Sequence, residues 1–366
     1  MELSDFASVA LYLAVFLTAI ALAYIGQKKN NKTLCVLAIL LPVIIAGFRY
    51  SAGTDSITYR NFYTEVGNED ISKTVDRLNS GGLEPFLILF SVVGNALHLP
   101  ASFLFICFAL ITAVFLYATT RLFNKERAWL YYGMLLLIVF PESLNMMRQV
   151  AAISVQAYAL VSIFKAKRNN VRTHWSGMIA LAALSVCLHY SSVLLLPVLL
   201  LPVITKHVSF KRLTAALGAL LLCCLFAFPY ILDFVVKAGV LSERHLSTFM
   251  SIEGSLVNVK FFAAIILSAI LIASYHRRKE LVDKQLGALM LTGAVYSSVG
   301  FYSGYLGRLA MLFWVFIIII FGDILCQLFE KKSHRIISCM AVAIAYFVLY
   351  FGILGFNEIV PYSFGF

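Results

Sequence analysis

Long apolar runs follow one another along almost the whole chain, separated by short turns rich in lysine and arginine, and that succession leaves few folds open. A helix that crosses the hydrocarbon of a bilayer needs about 20 mainly apolar residues. Runs of this kind fall at 6–26, 33–48, 83–98, 101–120, 128–141, 147–164, 175–188, 190–205, 213–236, 259–275, 285–304, 308–329 and 335–356. A membrane β-barrel would instead alternate apolar and polar positions over segments of about ten residues, and the sequence has no such pattern. The expected fold class is an all-α polytopic membrane protein with about 11–13 transmembrane or re-entrant helices. Composition agrees, with 61% of 366 residues hydrophobic and 13% charged, against about 45–50% apolar and about 25% charged in soluble domains. The longest polar interruptions, 49–82 and 237–258, are too short for a soluble domain, so residues 1–366 read as a single membrane domain carrying those two loops.

The net charge of +11 would fit a nucleic-acid partner if it formed a stripe. The Lys and Arg residues instead occupy the turns between apolar runs, which is a topology signal and points to the lipid bilayer rather than nucleic acid. The patches are Lys28, Lys29 and Lys32; Lys165, Lys167, Arg168 and Arg172; Lys206, Lys211 and Arg212; Arg277, Arg278, Lys279 and Lys284; and Lys331, Lys332 and Arg335. The positive-inside rule puts all of them on the cytoplasmic side. The loops at 49–82 and 237–258, and the turns at 145–149, 189–192 and 302–308, then face outward. This assignment holds only if one run between 49 and 165 is incomplete. The short runs 83–98 and 128–141 are the two candidates, and they place Arg121, Lys125 and Arg127 on opposite sides. The first run follows Met1-Glu2-Leu3-Ser4-Asp5, without a basic n-region, and reads as a retained anchor. The seven cysteines lie in or beside apolar runs at no metal-type spacing, so neither a disulfide framework nor a metal site is expected.

Polar residues near span ends that are not topology signals collect on the outward side. The stretch Phe48 to Arg60 passes from an apolar run into Arg49, a Gly53 turn, Asp55, Tyr59 and Arg60. Further along stand Glu84, then Asn145, Arg148 and Gln149 after a Pro141 break, then His189, and last Tyr305 and Arg308 beside Gly304 and Gly307. Each alone reads equally well as a cap, a snorkelling arginine or a tight turn. Together they are ionisable groups at membrane depth, which are costly and mark function. Asn145, Arg148 and Gln149 are spaced for one helix face, and several outward arginines suit a diphosphate, which guanidinium binds bidentately. No Gly-rich phosphate loop and no Gly-x-Ser-x-Gly motif is present.

These motifs resemble, in order, the EpsG-type family of bacterial O-antigen and exopolysaccharide polymerases, a branch of the Wzy-type polymerases. The resemblance rests on Phe48-Arg49-Tyr50-x-x-Gly53-Thr54-Asp55-x-x-x-Tyr59, Glu84-Pro85-Phe86, Asn145-x-x-Arg148-Gln149 followed by Ala151, His189-Tyr190-Ser191-Ser192, and Arg308. Ser56 stands where the family often has an aromatic residue. The resemblance implies a GT-C-like polyprenyl-donor glycosyltransferase architecture in the bacterial inner membrane, with its active face periplasmic. It implies transfer of a growing glycan from undecaprenyl diphosphate to a sugar hydroxyl of an undecaprenyl-diphosphate-linked repeat unit, in a pathway with a flippase and a chain-length regulator. Under that reading Arg49, Arg148 and Arg308 meet around the diphosphates. Asp55 is the expected base, with His189 as the alternative, and Tyr59, Arg60, Glu84, Asn145, Gln149 and Tyr305 contact substrate. No cofactor is called for; Mg²⁺ could bind through diphosphate and one carboxylate. A flippase for the same lipid-linked sugar, or an O-antigen ligase, would use similar arginines.

Overall fold

The computed structural model describes residues 2–70, 72–74, 76, 83–237 and 258–365, without the side chains of 231, 232, 235–237, 305 and 306. Residues 77–82 of the first expected loop and 238–257 of the second therefore lie outside the described residues. The chain is an all-α polytopic membrane protein. Among the described residues, seven helices are long and apolar enough to cross a membrane, and four shorter apolar ones accompany them.

The first eight helices are α1 (Asp5–Lys28), α2 (Lys32–Gly47), α3 (Ser56–Asn68), α4 (Pro85–Ala96), α5 (Ser102–Phe123), α6 (Ala128–Ile138), α7 (Met147–Arg168) and α8 (Trp175–Leu188). Their ends follow from local chemistry. Ser4 caps α1 by accepting from the Ala7 N–H at 3.3 Å, with Asp5 in the first turn and Lys28 in the last, as the helix dipole favours. Asn31 caps α2 through the Leu34 N–H at 3.2 Å, and Asn30, at φ 50, turns the chain between the two helices. Helix α4 starts on Pro85 just inside its N-terminus, where the missing N–H costs nothing.

The chain divides into two compact units that interleave in sequence, which is why no linker punctuates it. The first comprises Met1–Val161, Trp175–Ser192 and Gly322–Phe366; the second, Ser162–His174 and Val193–Phe321. In the first unit, hydrogen bonds sort the helix ends into two groups. Gln27 accepts from the Trp129 N–H at 3.1 Å and donates to the Glu126 carbonyl at 2.9 Å, so the α1–α2 and α5–α6 turns share one end. Arg127 pairs there with Asp323 at 2.6 Å. This basic end gathers Lys28, Lys29, Lys32, Arg121, Lys125 and Arg127.

The opposite end resolves the incomplete run. Helix α4 spans 12 residues, about 18 Å at 1.5 Å per residue, well short of a hydrocarbon core of about 30 Å. Glu84 before α4 touches Arg148 at the start of α7. After α4, Phe105 near the start of α5 lies under the guanidinium of Arg49. Both ends of α4 thus lie at the Arg49 end, and 83–98 is the run that does not cross. Helix α6 leaves the basic end and continues through a tight 3-10 turn, Phe140–Leu144, to Asn145, which bonds Thr54 at 2.5 Å. The run 128–141 therefore crosses, and Arg121, Lys125 and Arg127 share the side of Lys28.

In the second unit, Lys206 bonds Asn170 at 3.0 Å and Lys284 bonds the Val208 carbonyl at 2.7 Å, so its basic turns also gather at one end. The run 213–236 is broken at Ala227 into Phe210–Phe226 and Phe228–Lys237. All seven cysteines are free.

Candidate active site

Gly53 sets the first turn of the site. Its φ of +92 lies where only glycine is at ease, and a Cβ there would collide with the Leu144 carbonyl. Gly53→Ala is therefore expected to cost about 1–3 kcal/mol for the backbone alone, more with the collision, read as a lower unfolding temperature of the purified protein. Helix α3 restarts at Ser56, with Asp55 at its N-cap position making no side-chain cap bond. The C-terminal tail holds the turn from the other side. Tyr50 and Gly53 donate their N–H groups to the Ser363 and Glu358 carbonyls at 2.7 and 2.8 Å, and Gly365 donates to Phe48 at 2.7 Å.

Beside this turn, four side chains from four segments join through one carboxylate. Glu84 is 5% exposed. One of its oxygens accepts from Arg148 Nη1, and the other lies 2.6 Å from His189 Nδ1. Arg148 Nε donates to the Tyr59 hydroxyl at 3.2 Å, and its guanidinium lies over the Tyr59 ring, 5.2 Å from the centroid. Each position has a local cause. Tyr59 is one turn into α3, Glu84 precedes the Pro85 start of α4, Arg148 is in the first turn of α7, and His189 follows α8, its N–H bonded to the Ser185 carbonyl at 3.0 Å. Tyr190 fastens the same junction to the Leu83 carbonyl at 3.1 Å.

Electrostatics follow from this packing. Burial alone would raise the Glu84 pKa, but the hydrogen bond from His189 and the Arg148 charge outweigh it and hold the carboxyl below its ordinary value. A folded pKa below the unfolded one, about 4.3, means that the pair's contribution is fully present above that pH. It is lost as pH falls through the lowered folded value. Thermal unfolding between pH 6 and pH 3 is expected to show an acid-side loss of stability that Glu84→Gln reduces. Burial pushes the Tyr59 phenol up, with Arg148 opposing, so Tyr59 stays a neutral donor and acceptor.

A family model described as the EpsG family matches residues 32–364, from the second helix to the tail that closes the turn. The chain belongs to the EpsG family. It is a polysaccharide polymerase-like membrane protein. No curated protein and no solved structure matches it at a significant level.

The other residues expected to serve this EpsG-family chain are placed as follows. Arg49 is 1% exposed and its guanidinium is turned inward. Nη1 donates to the Ala46 carbonyl at 2.6 Å, Nε to Ser56 at 3.3 Å, and the group lies 4.3 Å from the Phe105 ring centroid. Burial lowers its pKa to about 10, with Tyr12 and Tyr362 opposing, which leaves it cationic at neutral pH. Arg60 donates Nε to the Tyr50 carbonyl at 3.1 Å and Nη2 to the Arg49 carbonyl. Both arginines knit the turn together, and no contact joins Arg49 to Arg148: the expected convergence of arginines fails there because the Ala46 carbonyl, the Ser56 hydroxyl and Phe105 claim the Arg49 group. Arg308, half-buried, opens the turn Arg308–Ala310 of the second unit. Only the backbone of Tyr305 is described. Of the neighbouring glycines, Gly307 packs against Gly300 in the preceding turn, since a Cβ on Gly307 would lie 2.9 Å from the Gly300 Cα.

Asn145, Arg148 and Gln149 do not form one face, because Asn145 ends the 3-10 turn before α7 begins at Met147. Asn145 accepts from Thr54 at 2.5 Å and from the Asp55 N–H at 3.3 Å. Its amide donates to Asn357 at 3.1 Å, and Asn357 donates to Glu142 at 2.7 Å. Gln149 is buried. Asp55 is half-buried, with no bond to its carboxylate among the described residues. Glu142 and Asn357 escaped the sequence reading. A carboxylate beside Pro141 in an otherwise apolar run was the signal for the first; nothing local marks Asn357.

Proposed function

We propose that the chain is a glycan polymerase that moves a growing glycan from undecaprenyl diphosphate onto a sugar hydroxyl of the next lipid-linked unit, on the periplasmic side of the bacterial inner membrane. The observation that carries this reading is the joining of His189, Arg148 and Tyr59 through Glu84 at the end of the first unit opposite that unit's own basic turns. A buried carboxylate that accepts from His Nδ1 fixes the tautomer, leaves Nε2 as the base, and stabilises the imidazolium once formed. Arg148 keeps its charge, and its Nη2 has no protein partner among the described residues.

In this reading His189 Nε2 takes the proton of the acceptor hydroxyl as that oxygen bonds to the anomeric carbon of the donor. The bond from that carbon to the diphosphate oxygen breaks, and the diphosphate leaves with the electron pair. Arg148 offers its free N–H groups to the departing charge, the kind of contact typically worth about 2.7–4 kcal/mol in the transition state. A single displacement inverts the anomeric centre. Glu84, with both oxygens engaged, positions His189 and Arg148 rather than sugar; Asp55, with its free carboxylate, holds acceptor hydroxyls.

The glycan made by the source cells with and without this gene tests the class. Loss of a polymerase leaves acceptors capped by one repeat unit. Polymer stranded on its carrier lipid would assign a ligase instead.

A further inference from the structure

The basic end of the first unit holds a cavity of about 220 Å³ between the α1–α2 turn and α5. Lys32, Arg121 and Lys125 line it, with Gln27, Asn31 and Tyr117, and the lining contains no acidic side chain. None of the three cations makes an ion pair among the described residues; Arg121 engages the uncharged Tyr117, its guanidinium 5.9 Å from the ring centroid. The N-terminus of the 16-residue helix α2 opens on the same space through Asn31 and Lys32, and its unpaired N–H groups add positive potential there.

The wall is built in advance. Gln27 bonds both the Lys125 and Glu126 carbonyls and the Trp129 N–H, which locks the α5–α6 turn against α1. Lysines and arginines that only set topology would spread over the turns; here they converge on one concave space at a helix end, the depth of lipid headgroups.

We propose that this cavity binds a phosphate group, in the form of an anionic phospholipid headgroup or a soluble phosphate ester, at a second site remote from Glu84. Three cations, the side-chain NH₂ groups of Asn30 and Asn31 and a helix N-terminus match the charge and acceptor oxygens of a phosphate, and an apolar flank of Cys35, Val36 and Ile39 suits the start of an acyl chain.

The test uses the full-length protein in nanodiscs of phosphatidylcholine, with either phosphatidylglycerol added to the bilayer or glycerol phosphate added to the solution, and follows thermal unfolding. A titratable stabilisation is expected in one arm. The lipid arm alone assigns a headgroup site; a response to glycerol phosphate assigns a soluble ester. In the triple variant Lys32→Gln, Arg121→Gln, Lys125→Gln the apparent affinity should fall on the order of 100-fold, from about 1 kcal/mol per cation near a membrane surface. A control triple, Lys28→Gln, Lys29→Gln, Lys332→Gln, removes the same charge outside the cavity and should keep the response. No response in either arm, or equal responses in the two triples, would overturn the proposal.

Discussion

Replacing Glu84 with alanine is expected to lower the stability of the protein by about 3–5 kcal/mol and to stop glycan lengthening. The first effect follows from burial: Glu84 is 5% exposed and compensates a guanidinium that is itself largely enclosed. Removing one partner of a buried pair leaves the other charge without its counterion. The second effect follows from geometry, because the same carboxylate orients His189 at 2.6 Å. Glu84→Gln separates the two. The amide keeps the shape and can still accept from Arg148, so the fold should largely survive. Its NH₂ would donate to His189 Nδ1, which moves the imidazole proton to Nε2 and removes the base. Lengthening by Glu84→Gln should then be slower by about 10²–10⁴-fold, with an unfolding temperature much nearer wild type than that of Glu84→Ala.

The second large effect distinguishes two candidate bases. His189→Asn should reduce the rate of lengthening by about 10²–10⁴-fold, whereas Asp55→Asn should act mainly on the KM for the acceptor. The difference rests on environment. His189 has a carboxylate partner that aims it, while Asp55 bonds through its backbone alone, its N–H to Asn145 and its carbonyl to the Tyr59 N–H. Initial rates across acceptor concentration and pH separate the cases. A rate loss in Asp55→Asn as deep as that in His189→Asn would return the base to Asp55.

Much of this was legible in the sequence, because a bilayer makes polar residues expensive and therefore conspicuous. Glu84, Arg148 and His189 each break an apolar run, and Gly53 announces a turn that the φ of +92 bears out. Less legible was how the polar residues pair. Arg49 and Arg148 look alike in the chain, yet Phe105 and the Ala46 carbonyl hold one inside while Glu84 and Tyr59 hold the other at the site. That sorting depends on partners far along the chain. The tail shows the same limit, for Ser51 bonds Ser363 across 312 positions and Asn357 bonds Glu142 across 215, and neither pairing leaves a local pattern. The incomplete run at 83–98 was visible only as a conflict between charge and span count, until contacts at both ends of α4 placed them on one side.

The most direct test of the Glu84-centred site is the length of glycan made by the purified protein from a defined undecaprenyl-diphosphate-linked repeat unit. Wild type should convert single units into a ladder of products still attached to the carrier. Units that remain single, in a preparation whose unfolding temperature shows it to be folded, would contradict polymerisation at this site.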